Sequence, residues 1–206
     1  MALLHRAEIR PTKLELLEGW LPAQPWYGGG TGAQVRRVGA YRFDDPAGEV
    51  GIETLLVRVG DGPVHQVPLT YRGAPLPGAE DRLVGTTRHS VLGDRWVYDG
   101  CGDPVYAAAL ADAVLRGTGQ AQEFFEVDGV REVRPPNMTI AATPASAAVA
   151  PGAVAAGAGE RFATDAADLA ILRRPVEDAP LTGPALTGAW PGQPTPIPLA
   201  YAWPRR

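Results

Sequence analysis

A chain of 206 residues that is 45% apolar can hold one ordinary domain with extra segments or two small ones, and is too apolar for wholesale disorder. Its net charge of -4 and isoelectric point near 5.4 give no electrostatic reason to bind nucleic acid or anionic lipid. The single cysteine, Cys101, excludes an internal disulfide and a cysteine zinc cluster, and His5, His65 and His89 lack metal-ligand spacing, so no metal or cofactor is expected.

No stretch approaches the ~18 consecutive apolar residues of a membrane span. Residues 1–11 lack the apolar run and small-residue cleavage site of a signal peptide, which makes a cytoplasmic location the expectation and the Asn137-Met138-Thr139 sequon incidental. Lys13 is the one lysine against eighteen arginines. With so many Ala, Gly and Pro residues, that bias reads as the composition of a GC-rich bacterial genome.

In chain order, residues 2–10 alternate weakly as a first strand, with Leu3, Ala7 and Ile9 in phase, and Pro11 ends it. Thr12-Lys13-Leu14-Glu15 is a capping box, in which the Thr12 hydroxyl and the Glu15 carboxylate each serve the other's backbone N–H. A short helix to about Glu18 follows, with Leu14, Leu17 and Leu21 on one stripe and Gly19 as its stop. Next comes a stretch dense in aromatics and prolines, Trp20-Leu21-Pro22-Ala23-Gln24-Pro25-Trp26-Tyr27, and the glycines Gly28 to Gly30 release the chain.

Residues 35–43, 49–59 and 64–72 carry a strand period, with turns at 44–48 and 60–63, and the last two form the clearest hairpin. Residues 72–80 read as a loop, and 91–99 as a further strand with Trp96 and Tyr98 on one face. Asp103 then caps a helix opened by Pro104 and stopped by Gly117. Residues 122–133 read as strand, turn at Asp128-Gly129, strand. From 141 to 159 the chain is almost all Ala, Gly, Pro and Val and reads as a linker. One short strand at 169–174 is followed by a Pro-rich tail, which can lie on the domain but lacks the period to build a core of its own.

The residues permit few chemistries. Gly28 to Val35 fits the spacing of a kinase glycine loop if Ala33 replaces the third glycine, but no lysine follows to hold the phosphates, and no His-Arg-Asp or Asp-Phe-Gly sequence is present. Ser90 and Ser146 are the only serines, neither in a nucleophile elbow; a hydrolase reading would pair Ser90 with His65. Cys101 lies just before a helix N-terminus, where a thiol pKa can fall, although a small residue in a tight turn is the simpler account. Glu49 and Glu53 lie four apart on a strand, roughly 13 Å, too far for a glycosidase pair. Asp44, Asp45 and Asp99 read as turn residues. Among the aromatics, Trp20 and Trp96 read as core, while Trp26 and Tyr27 divide evenly between core and an exposed sugar platform.

Residues 20–29, Trp-Leu-Pro-Ala-Gln-Pro-Trp-Tyr-Gly-Gly, resemble the motif that opens the N-terminal cap domain of bacterial maltokinases. Val64 to Arg72 looks like the strand after that family's hairpin, and Val97-Tyr98-Asp99-Gly100 with Asp103-Pro104 looks like its later Tyr-Asp motif and helix. The resemblance covers roughly residues 12–135. It implies a cystatin-like α+β unit, a curved antiparallel sheet packed by one or two helices, standing ahead of a kinase that phosphorylates maltose from ATP. Leu169 to Arg174 looks like a family strand that carries a lysine before its Arg-Arg; here Ala170 stands in that place, and the chain ends before any catalytic lobe.

The expected organisation is therefore a cap-like α+β domain over 1–140, a linker over 141–159, and a short strand with a Pro-rich tail over 160–206. The expected function is non-enzymatic: binding or regulation near α-glucan, maltose or trehalose metabolism, with a kinase-like or glucan-metabolism protein as partner. The alternatives are an accessory subunit that completes a sugar kinase, or a carbohydrate-binding module that holds an oligosaccharide on Trp26, Tyr27 and Gln24.

Overall fold

The computed structural model describes residues 2–3, 8–30, 32, 34–127, 130–144, 159–181 and 183–205, and every structural statement below concerns these. Strands β1 (Ala2–Leu3) and β2 (Ile9–Arg10) precede helix α1 (Lys13–Trp20). The capping box forms as the sequence predicts: the Glu15 N–H donates to the Thr12 hydroxyl at 3.3 Å, and the Thr12 N–H donates to the Glu15 carboxylate at 2.6 Å. The helix runs through Gly19 rather than stopping there. It gives way to a 3-10 turn, Leu21–Ala23, where Pro22 has no N–H to continue it.

A six-stranded antiparallel sheet follows, made of β2, β3 (Val35–Phe43), β4 (Gly51–Val59), β5 (Val64–Arg72), β6 (Leu83–His89) and β7 (Gly93–Asp99) in the order β2-β6-β7-β5-β4-β3. Strand β6 lies between the loop read over 72–80 and the strand read over 91–99, in residues to which the sequence assigns no element. Only Thr87 is buried along it, so it has no apolar period; it is held by its pairing with β7 and β2 and by the Thr87 hydroxyl donating to the Pro11 carbonyl at 2.7 Å.

The sheet is covered on both faces, and the period-2 alternation of β4 divides its side chains between them. Leu55, Val57 and Val59 face α1, where Leu17 and Leu21 are buried and Leu14 packs alongside. Ile52 and Leu56 face the other way, toward helix α2 (Pro104–Leu115), whose Tyr106 and Leu110 are fully buried. Burying a side chain such as Leu56 contributes about 1.5–3 kcal/mol.

Beyond α2 lies a second antiparallel sheet, in the order β10-β13-β14-β12-β11, formed by β10 (Thr139–Thr143), β11 (Gly159–Ala163), β12 (Ala167–Leu172), β13 (Ala185–Trp190) and β14 (Gln193–Pro204). A small third sheet joins β1, β8 (Glu123–Val127) and β9 (Val130–Val133), with β1 parallel to β8. The linker expected over 141–159 falls mostly on residues 145–158, outside the described residues, while its ends belong to β10 and β11.

The Pro-rich tail forms strands rather than an arm, and β14 is central in its sheet. A proline cannot donate to a ladder, and the register shifts where the prolines fall. Leu186 pairs with Ala200 but Thr187 pairs with Pro198, which leaves Leu199 unmatched. The shift changes the phase of the strand, so Ile197, Leu199, Ala200 and Ala202 all join the core shared with α2 and β4. Tyr201 and Trp203 turn to the opposite face and stack at 5.8 Å over Ala170, Leu172 and Ala185. These phase changes hide the strand from a sequence reading.

Candidate functional site

The aromatic stretch folds into the seam between the first sheet and the end of β12. Trp20 and Trp26 meet at 5.8 Å between ring centroids. Tyr27 is buried, its ring 5.1 Å from the His65 ring and its hydroxyl donating to the Gly30 carbonyl at 3.2 Å. Gln24 is half-buried and donates to the Trp20 carbonyl at 3.3 Å. Trp26 is half-buried, with the guanidinium carbon of Arg173 4.6 Å from its ring centroid. Trp26 and Gln24 therefore retain some surface, whereas Tyr27 points inward. Gly28 must be glycine: its φ is +60°, and a Cβ there would sit 2.6 Å from Arg174 Nη2, which donates to the Tyr27 carbonyl. This segment follows a 3-10 turn rather than a strand, which is not the setting of a kinase phosphate loop.

Behind Trp26, Arg173 is 2% exposed and binds two carboxylates, Asp99 at the end of β7 and Glu160 on β11. Arg82 reaches the same pair, pairing with Glu160 and standing 3.5 Å from Asp99. Asp99 is thus no exposed turn residue: burial pushes its carboxyl up, against the pull of Arg173. Burial also tends to raise Glu160, but Arg173 and Arg82 outweigh it and hold that carboxyl down. Asp99, Cys101 and Glu160 come close enough together to share a cation, yet the two arginines already neutralise the carboxylates, and the Cys101 thiol is pushed well above its usual range by burial. The cluster fits an ion-pair lock better than a metal centre. Cys101 is not the activated thiol its helix-proximal position allows.

His65 is 2% exposed and its Nδ1 finds no partner. Burial, with a smaller contribution from Arg174, pushes its pKa down to about 4. A histidine held neutral in the fold stabilises fully above the ordinary pKa of about 6.5 and loses that contribution as the pH falls toward 4. His65→Gln is therefore expected to flatten the loss of stability between pH 7 and 5, read from urea midpoints at the two pH values; an unchanged slope would show that His65 is not its source.

Ser90 does not meet His65. Arg72, the last residue of β5, pairs with Trp96, so the 90–92 turn projects beyond that end while His65 lies at the other. The Ser90 hydroxyl instead accepts from the Glu8 N–H at 3.1 Å. Asp45 is a turn residue as predicted, its carboxylate accepting from the N–H groups of Ala47, Glu49 and Val50 at 2.9–3.0 Å. Asp103 caps α2 and is also gripped by both arms of Arg72 at 2.7 Å.

Glu53 is the buried group that the strand pattern did not single out. It is 3% exposed and receives Lys13, Arg42 Nη2 at 3.1 Å and the Tyr71 hydroxyl at 3.0 Å. Burial works to raise its carboxyl, but Lys13 and Arg42 together hold it well below the carboxylate range. The signal in the sequence is a lone acid on a mostly apolar strand, in a chain with a single lysine to pair with it.

Compared with known proteins, residues 20–103 match the family model of the maltokinase N-terminal cap domain. The match begins at Trp20, in the aromatic stretch, and ends at Asp103, the cap of α2. No curated protein matches the chain.

Proposed function

We propose that this chain, which carries a maltokinase N-terminal cap-like domain over residues 20–103, is a non-catalytic binding or regulatory protein of maltose, trehalose or α-glucan metabolism, acting beside a kinase-like partner. The observation that carries the reading is Ala170. In the strand that resembles the kinase family's lysine-bearing strand, this residue is fully buried against Tyr201, Trp203 and Leu172. An apolar layer there offers no cation to a nucleotide phosphate. Four carboxylates that could carry chemistry are held in ion pairs: Asp99 and Glu160 with Arg173, Glu53 with Lys13 and Arg42, Asp103 with Arg72.

The test is a phosphotransfer assay on the purified protein with Mg-ATP and maltose. No phosphorylated sugar is expected, and its appearance would overturn the reading. Maltose titrated into the same protein should change the tryptophan fluorescence through Trp26, a ring of the seam that keeps exposed surface.

A further inference from the structure

A cleft of about 230 Å3 opens beside β3, between that strand and residues 120–123 and 133–137. Three arginines line it. Arg42, its side chain 18% exposed, lies between Glu53 and Glu123. Its Nε lies 3.0 Å from Glu123 Oε1 but is buried without an aligned hydrogen bond. Arg134 makes one long contact to Glu123, at 3.5 Å, and Arg37 makes no ion pair among the described residues. Lys13 lies behind Glu53, its ammonium pushed down by burial and by Arg42 and Arg37 against the attraction of Glu53. Among the residues that line the cleft, three arginines thus face two carboxylates, in a chain whose net charge is -4. Gln122 and Asn137 add amides at the wall, with the Asn137 carbonyl oxygen already fixed by the Ala40 N–H at 3.1 Å.

We infer that this cleft binds a small phosphate monoester, with the phosphate between Arg37 and Arg134 and the hydroxylated remainder against Gln122 and Asn137. An anion matches the surplus positive charge of the lining, and planar guanidinium forks suit phosphate oxygens. The cleft is smaller than the roughly 300–1,000 Å3 typical of sites for drug-sized ligands, which favours a ligand of monosaccharide size over a nucleotide. The inference stands apart from the proposed function, because neither Ala170 nor Trp26 lines the cleft.

The test is calorimetric titration of the whole chain at low, matched ionic strength with inorganic phosphate, a hexose monophosphate and the unphosphorylated hexose. The hexose monophosphate is expected to bind saturably, inorganic phosphate more weakly, and the free hexose not at all. Arg37→Gln and Arg134→Gln should each weaken the ester about tenfold, the loss of one charge-assisted contact. Arg36→Gln removes the same charge one residue away, outside the cleft lining, and should leave binding unchanged. Circular dichroism establishes that each variant is folded. Absence of saturable binding at about 10 mM ester, binding of inorganic phosphate but not the ester, or an equal loss in Arg36→Gln would overturn the assignment. Failure of the maltose experiments would leave it untouched.

Discussion

Arg173→Met is expected to lower the unfolding free energy by about 3–5 kcal/mol, the cost of breaking a buried ion pair by removing one partner. Arg173 is 2% exposed and Asp99 1%, so neither can recover its hydration while the fold persists. Without the guanidinium, Asp99 keeps only the 3.5 Å approach of Arg82 and the Cys101 N–H, and Glu160 keeps only Arg82. For a chain of this length the loss should lower the melting temperature by about 10 °C. The measurement is a urea titration followed by tryptophan fluorescence, with the midpoint falling at constant slope. Most of the loss should return in Arg173→Met/Asp99→Leu/Glu160→Leu, because replacing a buried ionic cluster by apolar groups is often close to neutral. If the single variant loses less than about 1 kcal/mol, in the range of an exposed pair, the cluster is not the lock described.

Glu53→Leu is expected to have a cost of similar size, about 3–5 kcal/mol, for the opposite reason: it strands the Lys13 ammonium and the Arg42 guanidinium without their shared carboxylate. The variant also separates this charge effect from packing, because it predicts a changed pH profile. The Glu53 carboxyl is held well below its ordinary value of 4.5, so its contribution is complete above that pH and is lost as the pH falls further. Wild-type stability should therefore decline steeply below about pH 4.5 and the variant's more shallowly. Parallel acid limbs in the two proteins would sink the assignment.

These two clusters mark where a sequence reading reaches its limit. Capping, turn chemistry and the β4–β5 hairpin were legible because each depends on neighbours a few residues apart: Thr12 with Glu15, Asp45 with Ala47, Asp103 with Val105. The stripe of Leu14, Leu17 and Leu21 was legible for the same reason, since helical spacing alone sets it. Arg173 follows β12, Asp99 ends β7 and Glu160 lies on β11, and nothing local marks the three as partners. Strand β6 was obscured because its stability lies in its ladder rather than in an apolar face. The second sheet was obscured by its prolines and by the bulge at Leu199, which breaks the period-2 pattern on which strand recognition depends. The aromatic stretch was legible as a cluster at the end of a helix, but the inward turn of Tyr27 and the cover provided by Arg173 and Arg174 depend on residues about 147 positions away.

Gln66 carries a consequence for how the chain reaches its fold. On β5 it accepts from the Tyr41 hydroxyl and donates to the carbonyls of Leu172 and Leu199, contacts separated by 106 and 133 residues. Until β12 and β14 arrive, the face that Leu56 and Gln66 present has only α2 to cover it, and the Gln66 amide lacks the two carbonyls it donates to. The hairpins of the first sheet can assemble early, but the entropy of closing loops of more than a hundred residues precedes any gain from these contacts. Refolding should accordingly be slow for a chain of this size, with the first sheet partly exposed on that face, and prone to self-association, while it waits.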